Sequence, residues 1–156
     1  MNRTFYVTAK STVYDVYLDG VQQDLVYQTN WTMVDAIELS PISRLISVMA
    51  VDSTETCAGL LGSATDDYIL TGASWKCIAG APPQWFALGF NDTDWKTAYV
   101  IGPNDNVTMP EACTILTGIP AISPNAYWIW TDNIANPPYY TQSIYCRGYL
   151  RKQLVT

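Results

Sequence analysis

The chain consists of short β-rich runs separated by turn residues, and no window of useful length shows the periodicity of an amphipathic helix. Ten or more short strands in 156 residues indicate two stacked antiparallel sheets. We therefore predict an all-β fold, an antiparallel β-sandwich, formed by a single domain over residues 1–156. The predicted strands are residues 4–9, 13–18, 33–39, 45–51, 58–61, 68–70, 75–78, 85–88, 98–101, 113–116, 127–130 and 143–150.

Three local patterns refine this prediction. Asp19-Gly20 directly follows the run 13–18 and is a strong hairpin signal. The run 45–51 is apolar apart from one Ser, as expected of a central strand packed on both faces. The runs 58–61 and 68–70 are predicted to pair through a connection at 63–67.

Composition limits the classes of partner. Only 14% of residues are charged, the net charge is −6, and the eight Lys and Arg residues are scattered along the chain. No basic stripe is available to neutralise phosphates, so we expect neither nucleic acid nor an anionic membrane surface as a partner. The longest apolar run, 45–51, is too short to span a bilayer, so no membrane insertion is expected. A polar, weakly charged surface suits neutral partners such as sugars, but it is also common in plain extracellular domains.

Two signals predict an extracellular, secreted protein. Asn2, Asn30, Asn91 and Asn106 each begin an Asn-x-Thr acceptor sequence for N-glycosylation. The four cysteines, Cys57, Cys77, Cys113 and Cys146, contain no Cys-x-x-Cys pair and the chain has no histidine. Two disulfides are therefore expected rather than a zinc site. The N-terminus has no apolar signal-peptide region, so we expect a mature form or a piece of something longer.

The disulfide connectivity stays open at this point. If Asp66-Asp67 is a hairpin tip, Cys57 and Cys77 fall opposite each other, which leaves Cys113 with Cys146. Cys77 with Cys146 is the rival pairing. Three pairings are possible for four cysteines, and the sequence does not select among them.

Catalysis has little support, because a chain without histidine has no Ser–His or Cys–His nucleophile. We therefore expect no enzyme. Acidic and amide clusters at residues 66–67, 91–94 and 104–106 could supply oxygen ligands to Ca²⁺, with Asp92 and Asp94 the first candidates. The alternative is that these residues simply make turns.

Several segments, in order, resemble the modules of the galactose-binding-domain-like superfamily. Residues 70–76 (LTGASWK) are similar to the "l-t-g-x-s-W-k" segment of these modules, and residues 90–98 (FNDTDWKTA) are similar to their "F-D-D-S-x-W-x-x-A" segment. The first 20 residues also resemble the N-terminal strands of these modules. The other matching segments are 5–10 (FYVTAK), 14–20 (YDVYLDG), 46–51 (ISVMAV), 58–61 (AGLL), 126–130 (AYWIW) and 145–147 (YCR).

The resemblance implies a jelly-roll β-sandwich, of which many members bind carbohydrate while others only brace neighbouring domains. The chain departs from the commoner pattern at two positions. Asn91 replaces the first Asp of an Asp-Asp pair and creates an acceptor sequence, and Asp19 stands where Asn is commoner. A glycan on Asn91 would obstruct a ligand approaching that loop.

The six tryptophans are the main candidates for sugar stacking. Trp75, Trp95, Trp128 and Trp130 are expected in the core, because they lie in framework segments or alternate along one strand. Trp31 and Trp85 lie at strand margins and are the candidates for exposure.

The leading hypothesis is a non-catalytic, lectin-like carbohydrate-binding module with Trp31, Trp85, Asp92 and Asp94 as ligand-binding candidates. The alternative is a structural or adhesive subunit of an extracellular coat, fibre or matrix, with an extracellular protein or another copy of the chain as its partner. Its motivation is the 11 tyrosines and a Pro-rich C-terminal region that could pack against a neighbour.

Overall fold

A computed structural model of the chain describes residues 2–10, 12–28, 30–52, 58–105, 118–131 and 143–150. Within these ranges, eleven strands and one short 3₁₀ turn form two antiparallel sheets, which confirms the predicted all-β antiparallel sandwich. The strands are β1 (Arg3–Ala9), β2 (Thr12–Leu18), β3 (Val21–Gln22), β4 (Asp35–Leu39), β5 (Leu45–Val51), β6 (Leu60–Ala64), β7 (Lys76–Ile78), β8 (Lys96–Thr97), β9 (Tyr99–Pro103), β10 (Tyr127–Trp130) and β11 (Ser143–Tyr149).

The five-stranded sheet has the order β4-β1-β6-β10-β9, and the six-stranded sheet has the order β3-β2-β5-β11-β7-β8. Strand β5 lies between β2 and β11, and its first four residues are buried, so its predicted central position is confirmed. Residues on both faces of β5 are buried along its first half, which is why its sequence is apolar almost throughout.

The core lies between the two sheets. Phe5 on β1 stacks on the Trp75 ring with 6.1 Å between centroids, and that ring lies directly against Gly148 on β11. The indole N–H of Trp75 donates to the carbonyl of Leu70 (3.0 Å), so the ring is buried without an unmet hydrogen bond. Aliphatic side chains from both sheets fill the rest, among them Val7, Val16, Ile37, Val48, Leu60, Ile129 and Ile144.

The predicted hairpin at Asp19-Gly20 is confirmed, since both residues have positive φ (50° and 85°) and join β2 to β3. Two positive φ values are the signature of the tight turn that fits strand twist, and Gly20 adopts one without steric cost. The Asp19 carboxylate also accepts the backbone N–H groups of Arg44 (2.8 Å) and Leu45 (2.7 Å). It therefore fixes the start of β5 against the hairpin.

The second predicted hairpin is present but shifted. Strand β6 extends to Ala64, the 3₁₀ turn Thr65–Asp67 forms the tip, and the return contributes only one bridge, between Ser63 and Leu70. Asp66 and Asp67 both have positive φ, which Asp tolerates better than most residues.

The prediction of a strand at residues 85–88 was wrong. Gln84 has a φ of 67°, and two consecutive turns follow it. The Ala87 N–H donates to the carbonyl of Gln84 (3.0 Å), and the Phe90 N–H donates to the carbonyl of Ala87 (3.1 Å). Strand β4 begins at Asp35 instead of residue 33. The predicted strand 113–116 lies outside the described residues.

The structure joins Cys77 to Cys146 in a disulfide, directly across the β7–β11 pair. The alternative pairing of Cys57 with Cys77 is therefore excluded. Cys57 and Cys113 lie outside the described residues. Within those residues no helix has the length and apolar character needed to cross a membrane.

Candidate functional site

Arg147 holds the loop at residues 82–95 on the outer face of the six-stranded sheet, which is the face away from the other sheet. We call residues 82–95 the covering loop. The Arg147 side chain is fully buried. Its Nη1 donates to the carbonyls of Trp85 (2.5 Å) and Ala87 (3.0 Å), and its Nη2 donates to that of Phe90 (3.2 Å). A guanidinium has five N–H donors in a planar fork, so it can bind several backbone carbonyls at once.

Asp92 completes this arrangement and is the anionic partner of Arg147. Its Oδ2 accepts from Arg147 Nε (2.9 Å) and from the Tyr149 hydroxyl (2.7 Å), and its Oδ1 is 3.4 Å from Lys76 Nζ. Burial would raise the pKa of Asp92, but the hydrogen bonds from Arg147 and Tyr149 and the positive charge of Arg147 outweigh it, and the pKa lies below its ordinary value of 3.8. The structure thus places Asp92 in a buried ion pair that fixes a loop.

Asp94 lies exposed two residues further along, and the structure does not bring its carboxylate into this cluster. Across the described parts of the chain, no group of three or more Cys, Asp and Glu side chains is placed to hold a metal ion. The calcium prediction at Asp92 and Asp94 gains no support from these contacts.

The predicted exposure of Trp85 was wrong, since only 8% of it is accessible. Its ring meets Tyr17 (5.8 Å between centroids), Phe86 (5.9 Å) and Tyr145 (5.0 Å), each edge to face. Tyr17 in turn stacks flat on Phe86 at 4.1 Å. The loop therefore buries an aromatic cluster on the sheet face instead of presenting Trp85 to solvent.

Trp31 is half-buried, with its ring 6.1 Å from that of Trp128 and edge to face with it. Its carbonyl accepts the Thr8 hydroxyl (2.7 Å), which attaches this segment to β1. The four tryptophans predicted in the core are all buried, as expected: Trp75, Trp95, Trp128 and Trp130.

A second loop is held by one buried amide. Asn104 Nδ2 donates to the carbonyls of Ile119 (3.1 Å), Ile122 (2.9 Å) and Ser123 (3.2 Å), and its Oδ1 accepts the N–H of Ile119 (2.6 Å). The cluster 104–106 suggested oxygen ligands or turn residues from sequence. In the structure, Asn104 connects β9 to the segment that begins at residue 118.

The acceptor asparagines of three predicted glycosylation sites, Asn2, Asn30 and Asn91, are exposed, and Asn106 lies outside the described residues. Asn91 Oδ1 accepts the N–H of Thr93 (3.0 Å), so this acceptor sequence forms a side-chain turn at the exposed end of the covering loop.

A second candidate surface lies at the edge formed by β2 and β3. Val13 pairs with Ala50 and Asp15 with Met49, so Tyr14 is the extra residue of a β-bulge. Its ring is 56% exposed. Beside it, Gln22 Nε2 donates to Asp15 Oδ1 (2.9 Å). We call this the edge surface and define it by Tyr14, Asp15, Tyr17 and Gln22.

Tyr17 connects the edge surface to the aromatic cluster beneath the covering loop. Burial raises its pKa, and the negative charge of Asp15 raises it further. Its hydroxyl therefore stays protonated at neutral pH and remains a hydrogen-bond donor.

The sequence contained a signal for the bulge that the predicted strand at 13–18 did not use. Val13 and Val16 are both buried and lie three residues apart, whereas a regular strand repeats its inward positions every two residues. An odd spacing between two core-facing residues requires one extra residue between them, which here is Tyr14.

Comparison of the chain with protein-family models, with curated proteins and with solved structures found no match.

Proposed function

We propose that the chain is a non-catalytic extracellular binding module, of the jelly-roll kind found in galactose-binding-domain-like proteins, that binds a neutral carbohydrate at the edge surface. The observation that carries the proposal is the bulged, 56% exposed Tyr14 beside the hydrogen-bonded Asp15–Gln22 pair. Bulges are over-represented at sheet edges and next to functional sites of enzymes, where they redirect a side chain.

The chemistry of the three side chains fits a sugar. The flat Tyr14 ring offers an apolar surface on which the C–H face of a pyranose can stack. The Asp15 carboxylate accepts hydrogen bonds from hydroxyls, and the Gln22 amide both donates and accepts them. A site this small and shallow predicts weak binding, with a Kd of about 0.1–1 mM for a single sugar.

Two features support the extracellular part of the proposal. The Cys77–Cys146 disulfide is typical of an oxidising compartment, and the acceptor residues Asn2, Asn30 and Asn91 are all exposed. The two-sheet antiparallel sandwich is compatible with a jelly roll.

A multivalent glycan array tests the proposal, because avidity makes weak contacts visible. We expect binding to neutral glycans, and a loss of about tenfold in affinity for Tyr14→Ala and for Gln22→Ala, measured by NMR titration with the best glycan. Tyr127→Ala is the matched control, since Tyr127 is a similarly exposed tyrosine at the start of β10 in the other sheet. Absence of binding to neutral, acidic and sulfated glycans would contradict the proposal.

A second candidate is a structural subunit that associates with copies of itself. Val21, Val26 and Ile42 are exposed by 63%, 77% and 81%, and exposed apolar side chains that cluster are typical of protein–protein contacts. Light scattering across a wide concentration range separates the candidates, since a strict monomer contradicts self-association.

A further inference from the structure

The acceptor sequence at Asn30 lies in a turn that has its own hydrogen bonds. Asn30 N–H donates to the carbonyl of Tyr27 (3.1 Å), and the Asn30 carbonyl accepts the N–H of Met33 (3.0 Å). Asn30 Oδ1 accepts both the N–H (3.3 Å) and the hydroxyl (2.7 Å) of Thr32. Asn30 is thus an exposed corner whose side-chain amide has a fixed direction.

Both ends of this turn are attached to the sandwich. Asp35, the first residue of β4, is buried, and its carboxylate accepts hydrogen bonds from the N–H groups of Val26 (2.6 Å) and Tyr27 (3.2 Å). On the other side, the Thr8 hydroxyl on β1 holds the carbonyl of Trp31. Tyr27 and Trp31, which lie on either side of Asn30, are therefore held to the sandwich before any sugar is added.

Tyr27 precedes Asn30 by three residues, and its ring is 41% exposed. The first and fourth residues of such a turn have Cα atoms within about 7 Å of each other. We propose that a glycan on Asn30 lays its first N-acetylglucosamine on the Tyr27 ring, so that the sugar becomes part of the segment that joins β3 to β4. The proposal rests on the passage through a secretory compartment that the proposed function assumes.

The chemistry of attachment is ordinary. Asn30 Nδ2 loses one proton and forms a bond to C1 of the first sugar of a lipid-pyrophosphate-linked oligosaccharide, whose C1–O bond breaks to release the lipid pyrophosphate. The apolar face of that sugar then covers the flat apolar surface of the tyrosine ring.

The acceptor site at Asn91 lacks this arrangement. Asn91 follows Phe90, whose ring is 5.7 Å from that of Trp95 and 5.3 Å from the Arg147 guanidinium. Of these two acceptor sites, Asn30 is therefore the one with an exposed aromatic residue one turn away.

The test is a double-mutant cycle on the full chain, secreted behind a cleavable signal from cells that make high-mannose glycans and trimmed enzymatically to one sugar per site. Wild type, Tyr27→Ala, Asn30→Gln and the double variant are unfolded in denaturant, and peptide mass spectrometry measures occupancy at Asn30. We expect Tyr27→Ala to lower the folding equilibrium constant by about fivefold more when Asn30 carries the sugar than in the Asn30→Gln background. Tyr127→Ala, which removes an exposed tyrosine on β10, is the control and is expected to show no coupling.

Tyr27→Leu, which keeps an apolar side chain but removes the flat ring, is expected to lose most of the coupling. An unmodified Asn30 in the secreted protein, or a Tyr27→Ala effect that is equal with and without the sugar, would overturn the proposal. A silent glycan array contradicts only the binding function, because this cycle measures a contact within the chain.

Discussion

The Nε of Arg147 and the Oδ2 of Asp92 are 2.9 Å apart although the residues are 55 positions apart in sequence. The pair joins β11 to the loop that covers the outer face of the six-stranded sheet. Because the guanidinium also serves three backbone carbonyls of that loop, the loop, the strand and the aromatic cluster around Trp85 depend on one side chain.

Arg147→Met is expected to destabilise the fold by about 3–5 kcal/mol, because it removes the cationic partner of the buried Asp92 carboxylate and the donor shared by three loop carbonyls. Equilibrium denaturation monitored by tryptophan fluorescence measures this. Arg44→Met, at an exposed position, is the control and should change stability by less than about 0.5 kcal/mol. A loss below about 1 kcal/mol for Arg147→Met would show that the loop is held by other contacts.

The contribution of Asp92 to stability is expected to depend on pH with a defined sign. Its pKa is lower in the folded protein than the ordinary 3.8, so the folded state favours the ionised form. The stabilisation is therefore complete well above pH 3.8 and is lost as the pH falls through and below that value. The difference in unfolding free energy between wild type and Asp92→Asn should be constant near neutral pH and shrink below pH 3.8. A difference that stays constant into acid would contradict the ion pair.

Asn104→Ala is expected to cost about 2–4 kcal/mol, because it removes four hydrogen bonds from the Asn104 side chain to the backbone of Ile119, Ile122 and Ser123, three of them buried. Hydrogen exchange should become faster at residues 118–126 in particular. Asn125→Ala is the matched control, since that side chain makes an exposed bond to Asp67. Equal effects of the two substitutions would rule out the anchoring role of Asn104.

Gly148→Ala is expected to destabilise the protein by about 1–3 kcal/mol, because the added methyl group would overlap the Trp75 ring in the packed core. Gly89→Ala is the control, since a methyl group there meets nothing within 4 Å. Thermal unfolding of the two variants measures the contrast. A stable Gly148→Ala variant would mean that the Trp75 ring can move aside.

The fold class was predictable because its signals are local. Alternation and apolar runs set most strand positions, and Asp19-Gly20 predicted a hairpin whose turn geometry the structure has. The strand prediction at 85–88 was wrong because the apolar residues there resemble a strand. The conformation of this segment depends on Arg147, which donates to the Ala87 carbonyl from 60 positions further along the chain. Local propensity cannot include such a partner.

The candidate site was harder to predict for the same reason. Trp85 was expected to be exposed because it lies at a predicted strand margin, and Asp92 was a ligand candidate because of its acidic cluster, but Arg147 binds the carbonyl of the first and the carboxylate of the second. Tyr14 was not a binding candidate in the sequence, and its place follows from an odd spacing between Val13 and Val16 that requires a bulge. Exposure is set by tertiary contacts, so residue type alone misassigned Trp85 as a sugar-stacking candidate.

Arg147 and Asn104 share one property, which is that both donate hydrogen bonds to backbone carbonyl oxygens, and every amino acid has one. Exposed side chains on the two loops can therefore mutate while the path of the backbone persists. Descendants of this protein would be free to explore new surface chemistry there at little risk to folding, provided that the arginine and the asparagine are inherited.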